Sequence, residues 1–272
     1  MLKTRIITSL FLIPGFFAAL FLLPSIVWAG LILGISIVAL YEWAQMIKLG
    51  KRATQLYLLA TIILGTVVLW FANQLGSHWL VYRSLDLFII VSLFWILAVP
   101  FLLYKNKRIN HPLINALIGW LLVLPLWLAL VCLRIADPWL LLGLTATVWI
   151  ADSAAYFAGK QFGQHKLAPT ISPGKTWEGV LGGLFAVSIY GYALAVYFAL
   201  PVLVTLLILW VMSILSVEGD LFESMMKRQS NVKDSGSILP GHGGILDRID
   251  GLTSSLPTAV LMIYIYSLLH AA

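Results

Sequence analysis

The chain has 272 residues, of which 61% are hydrophobic and only 10% charged, with a mean hydropathy of +0.98. Soluble proteins average about 45–50% apolar and about 25% charged residues, so this composition excludes an ordinary water-soluble domain. The net charge is +6, and the single cysteine, Cys132, excludes an intrachain disulfide or a cysteine-based metal site.

Uncharged runs long enough to cross about 30 Å of hydrocarbon recur along the whole chain. They predict an all-α polytopic membrane protein with about nine transmembrane helices, near 6–23, 25–46, 54–72, 86–104, 113–133, 139–157, 179–200, 201–217 and 252–270. The first run follows Lys3 and Arg5 without a small-residue cleavage signal, so it reads as a retained span. Pro24 and Pro201 each divide a run too long for one crossing. The chain reads as one integral membrane domain, 1–272, with N-terminal helices in 1–133 and catalytic helices and cytoplasmic loops in 134–272.

Loop charge tests that count independently, because cytoplasmic loops concentrate Lys and Arg. With the N-terminus cytoplasmic and nine spans, the inner segments hold 15 of the 17 basic residues, and only Arg83 and Arg134 fall outside. The positive balance then reports topology and anionic lipid headgroups, and nucleic acid is not expected as a partner.

Three polar constellations follow in chain order. Asp152 interrupts an otherwise uncharged run, where an acid either serves function or pairs with a lysine such as Lys160. The small residues around it, Ala151, Ser153, Ala154, Ala155, Ala158 and Gly159, suggest close helix packing. Next comes Ile171-Ser-Pro-Gly-Lys-Thr-Trp-Glu178. It lacks the first glycine of a P-loop, yet Ser172, Lys175 and Thr176 offer phosphate donors ahead of a helix start; equally, the segment reads as a capped loop with Glu178 in the first turn.

The third constellation holds six of the chain's 11 acidic residues: Glu218, Asp220, Glu223, Asp234, Asp247 and Asp250. Lys227, Arg228, Lys233, Arg248 and His242 share the stretch, as do five glycines that allow backbone to approach a ligand. Such a carboxylate cluster asks for cations, either basic side chains or Mg²⁺, which prefers hard oxygen ligands. Asp247 and Asp250 share a face if the chain is helical there, and a salt-bridge cluster opening a helix is the alternative. His78, His111 and His270 read as interfacial residues.

Ser224-Met-Met-Lys-Arg, then Lys233-Asp-Ser-Gly, then Leu239-Pro-Gly-His-Gly-Gly-Ile-Leu-Asp-Arg-Ile-Asp250 together resemble, over 27 residues, the signature of the phosphatidate cytidylyltransferase (CDP-diglyceride synthetase) family. Asp152 to Gly159 and Ser172 to Gly179 are similar to segments of the same family. The resemblance covers about the C-terminal half by motif, and the N-terminal half in hydropathy only.

The resemblance implies an inner-membrane enzyme, usually a homodimer, that uses Mg²⁺, with K⁺ beside it in some members. Its reaction transfers CMP from CTP to phosphatidic acid in the membrane, giving CDP-diacylglycerol and pyrophosphate at a site facing the cytoplasm. It implies Asp220 and Asp247 as metal carboxylates with Asp250 close by, and Lys175, Lys227, Arg228 and Arg248 as phosphate-binding cations. Lys233, His242, Ser172, Thr176, Glu178 and Asp152 complete the candidate site. A CDP-alcohol phosphotransferase is the enzymatic alternative, but its aspartates follow a longer spacing than Asp247-x-x-Asp250. A polytopic transporter is the other alternative; the chain shows no internal repeat, and its polar cluster lies in a loop.

Overall fold

The computed structural model describes residues 2–106, 108–238, 240, 241 and 243–270, with the side chains of residues 2–7, 77 and 78 left aside. Helices dominate the described residues. In chain order they are α1 (Leu2–Leu22), α2 (Ser25–Met46), α3 (Lys51–Leu75), α4 (Ser77–Leu93), α5 (Val99–Lys105), α6 (Pro112–Ala136), α7 (Pro138–Phe162), α8 (Trp177–Tyr197), α9 (Val202–Gln229) and α10 (Leu246–His270). A π-helical turn, Phe94–Ala98, carries α4 into α5, and a short antiparallel hairpin, β1 (Lys166–Ala168) and β2 (Ser172–Thr176), precedes α8.

Eight helical stretches among the described residues are long and apolar enough to cross a membrane, and the described apolar part of α1, Thr8–Leu22, is shorter. The two proline divisions fall where the sequence places them: Pro24 is extended ahead of α2, and Pro201 directly precedes α9. Proline inside a span is tolerated at Pro125 of α6 and Pro257 of α10, where packed neighbours surround the helix. Large apolar side chains such as Phe11, Leu181 and Phe185 are exposed on the protein surface. In water such a surface would drive aggregation, and in a bilayer it is solvated by lipid.

The chain divides into two compact units. One comprises Met1–Leu87, Arg108–Leu141 and Met226–Ile249. Its centre is α2 against α6, where apolar burial alone gives little direction in lipid and polar tips supply it. Trp127 donates to the Ala29 carbonyl at 3.0 Å while Trp28 donates to the Leu130 carbonyl at 3.3 Å, a reciprocal pair across the two helices. Trp43 donates to Asn115 O at 2.8 Å and Tyr57 to Ala116 O at 2.9 Å. Gly119 of α6 leaves the space that the Trp43 and Tyr57 rings fill.

The other unit comprises Phe88–Lys107, Leu142–Met225 and Asp250–Ala272. Here the small residues of α7 meet glycines of α8: a Cβ added to Gly183 would sit 3.0 Å from Ala151 O, and one on Gly179 2.8 Å from Ala155 O. On α10 the buried hydroxyls Thr253, Ser254, Ser255 and Thr258 bond to backbone or to one another's neighbours, as Ser254 does to Leu215 O at 2.7 Å and Thr258 to Ser92 at 3.0 Å. Hydroxyls satisfied in this way cost little in an apolar interior.

Candidate active site

The loop expected before α8 is a hairpin with a defined job. Thr176, extended at its end, accepts from the Gly179 N–H at 3.1 Å and caps α8. Glu178 in the first turn accepts from the His165 N–H at 3.1 Å and from its Nδ1 at 2.6 Å, which ties the start of the hairpin to the helix it leads into. These two residues are therefore occupied in building the hairpin–helix junction.

Lys175, directly ahead of Thr176, points elsewhere. Its Nζ lies 2.6 Å from Asp220 Oδ2 and donates to the Val217 carbonyl at 3.2 Å, so it rests on one face of α9. Ser224, one turn on, donates to Asp220 Oδ1 at 3.2 Å. Asp152 of α7 stands within electrostatic reach of both Lys175 and Asp220, whereas Lys160 lies over the Tyr156 ring at 6.0 Å. Three segments separated in sequence thus converge, and Asp220 lies well inside a helix that runs on to Gln229 instead of ending near Val217. Gly219 lets α9 come close to α10 here: a Cβ there would stand 2.5 Å from Asp250 O and 2.8 Å from Ser254 Oγ. Asp250 itself accepts from the Gly251 N–H at 2.8 Å.

A second polar cluster forms in the first-described unit. Lys227 Nζ meets Asp247 Oδ1 at 2.7 Å with side chains 12% and 7% exposed. The same carboxylate accepts from the Ser235 N–H at 3.0 Å and the Gly244 N–H at 2.8 Å. Asp247 is in the first turn of α10 and reaches back three residues, as the acidic member of a capping box does. Arg228, Lys233 and Arg248 are exposed around this segment, suitably placed for anions arriving from solvent. His242 lies outside the described residues.

The sequence reading passed over Glu42 of α2. It is 2% exposed, and its carboxylate accepts from Ile245 N–H at 3.1 Å, Leu246 N–H at 2.9 Å and Ser235 Oγ at 3.3 Å. A signal existed: Glu42 is the one charged residue of α2, the same feature that drew attention to Asp152.

Among the described residues no group of three or more His, Cys, Asp or Glu side chains is gathered for a metal ion. Magnesium commonly takes one or two carboxylates and completes its shell with water and substrate phosphates. Asp220 fits that role, with hard oxygen atoms, a side chain 40% exposed and a lysine for its present partner. At Asp247 an ammonium group and two backbone N–H groups already occupy the carboxylate, so a metal there would have to replace the Lys227 contact.

Comparison with known proteins places this geometry in context. A model of the cytidylyltransferase family matches residues 3–266. A protein of Pseudomonas aeruginosa named phosphatidate cytidylyltransferase is 36% identical, covering 97% of this chain and 97% of its own. One of Haemophilus influenzae with the same name is 35% identical over 94% of this chain and 96% of its own. A Bacillus subtilis protein of that name is 43% identical over 44% of this chain and 45% of its own. With a family model covering nearly the whole chain and full-length relatives at this identity, the chain belongs to the cytidylyltransferase family.

Proposed function

We propose that this protein transfers the cytidylyl group of CTP to phosphatidic acid, forming CDP-diacylglycerol and pyrophosphate. The observation that carries the reading is the end-to-end similarity to relatives named phosphatidate cytidylyltransferase. The polar geometry supports it, because lysines held against aspartates among apolar helices suit two anionic substrates, one of them a lipid.

In the proposed step a phosphate oxygen of phosphatidate attacks the α-phosphorus of CTP in line. A P–O bond forms there, the bond to the bridging oxygen of the β-phosphate breaks, and pyrophosphate leaves with the electron pair. Phosphatidate is already anionic, so no strong base is needed; the demands are alignment and charge neutralisation. Lys175 of β2, resting against α9, and the exposed Arg228, Lys233 and Arg248 would bind phosphate oxygens, with Lys227 held in place by Asp247. Ser172 and Thr176 flank Lys175 on the hairpin strand and keep it at the start of α8.

Asp220, with Asp250 beside its helix, would hold Mg²⁺; Asp247, which the sequence pattern adds, would join the metal only on giving up its Lys227 contact, and a second cation such as K⁺ belongs to the same reading. The ion supplies charge neutralisation on the phosphates. An N-terminus in the cytoplasm, a site facing the cytoplasmic side of the inner membrane and a homodimeric assembly complete the proposal; the loop charges support the orientation.

The test is product formation by the purified protein in detergent. Phosphatidate and CTP should give CDP-diacylglycerol and pyrophosphate in equal amounts, dependent on both substrates. Absence of product with either Mg²⁺ or Mn²⁺ present, in protein that remains monodisperse, overturns the reading.

A further inference from the structure

We infer that Glu42 is a positioning residue for the reaction: from α2 it caps the first turn of α10 and holds Ser235 and the residues opening that helix so that Asp247 meets Lys227. This rests on the function proposed above. The need for such a cap is visible in the local sequence. A helix start leaves N–H groups without partners, and Ser, Thr, Asn or Asp usually supplies the acceptor. The residues opening α10 are Gly243-Gly244-Ile245-Leu246, which carry no such side chain. Asp247 satisfies only the Gly244 N–H of this stretch. The Ile245 and Leu246 N–H groups instead find Glu42, more than 200 residues earlier in the chain.

The carboxylate is fitted to this task. Burying a charge is costly unless donors surround it, and Glu42, at 2% exposure, accepts from two backbone N–H groups and a hydroxyl. The positive end of α10 adds to the stabilisation. Ser235 links the two acids: its Oγ donates to Glu42 and its N–H to Asp247. Gly236 and Gly244 also pass close to the Glu42 side chain. A Cβ on Gly236 would stand 2.7 Å from Glu42 Cδ, and one on Gly244 2.8 Å from it, so a side chain at either place would displace the Glu42 carboxylate. Glu42 and Asp247 therefore both hold Ser235 and the residues opening α10, and losing the first lets the second drift.

The experiment compares the full-length protein with Glu42→Gln, Ser235→Ala and Asp247→Asn in detergent, measuring kcat, KM for CTP and hydrogen exchange of peptides spanning 233–249 and of the α2–α6 packing. In Glu42→Gln an amide N–H faces a backbone N–H. The expected result is a kcat lower by about 10²-fold, the scale of a misplaced catalytic group. KM for CTP should change little, and exchange should quicken in 233–249 but not in α2–α6. Ser235→Ala, a milder change that decides the matter if Glu42→Gln does not fold, should show the same pattern at smaller size. A folded variant with wild-type kcat overturns the proposal, even where exchange quickens, because the cap would then serve the fold alone. Normal turnover in Asp247→Asn would overturn the reading of the site itself. Loss in Asp247→Asn beside normal turnover in folded Glu42→Gln or Ser235→Ala would overturn only the role of Glu42.

Discussion

Lys175 and Asp220, 45 residues apart in the chain, meet at 2.6 Å, and each remains partly open, with side chains 22% and 40% exposed. A partly solvated pair of this kind contributes about 0–1 kcal/mol to stability, so its removal should spare the fold. Lys175→Ala is expected to raise KM for CTP with little change in detergent thermal stability, because a cation is lost from the phosphate site. Asp220→Asn should instead lower kcat by about 10²-fold or more and move activity to higher Mg²⁺ concentration. Steady-state kinetics against CTP and Mg²⁺ check both; an unchanged Mg²⁺ requirement in Asp220→Asn would remove it from the metal site.

Asp247 and Lys227 form a pair of a different kind, with side chains only 7% and 12% exposed and two backbone N–H groups on the carboxylate. Removing one partner leaves the other charge buried and alone, at a cost of about 3–5 kcal/mol. Asp247→Asn should therefore lose thermal stability as well as turnover, unlike Asp220→Asn. Equal melting temperatures for the two variants would contradict the buried-clamp description.

The close approach of α7 and α8 depends on glycine. Gly183→Val places side-chain atoms where the Ala151 carbonyl already stands, and neither backbone can yield without moving a helix. Overpacking of this sort typically costs about 1–3 kcal/mol. A fall in thermal stability is expected, and a fully stable variant would show that the two helices are free to separate.

Topology is open to direct measurement with accessible tags. Tags near Lys51, Lys166 and Ser230 should report the cytoplasmic side, and a tag after residue 272 the opposite side, because the basic residues concentrate in alternate loops. A cytoplasmic C-terminal tag would exclude nine crossings.

The sequence was sufficient for the helices because lipid leaves backbone polar groups no partner but one another, so any long apolar run must become a helix. Pro24 and Pro201 mark their breaks by local sterics, and Ala151, Ala155 and Ala158 announce close packing by size alone. Local pattern also singled out Lys175, Asp220 and Asp247, since charge is rare in this chain. It could not pair them. That Lys175 rests on Asp220 depends on contact between distant segments, whereas the continuation of α9 past Val217 and the hairpin of 166–176 are local features that the apolar pattern does not mark. Glu42 is the clearest case: the Ile245 and Leu246 N–H groups at the start of α10 find their acceptor on a helix some 200 residues away. Only the tertiary structure could decide that, because the free N–H groups of a helix start donate to any oxygen that packing brings near.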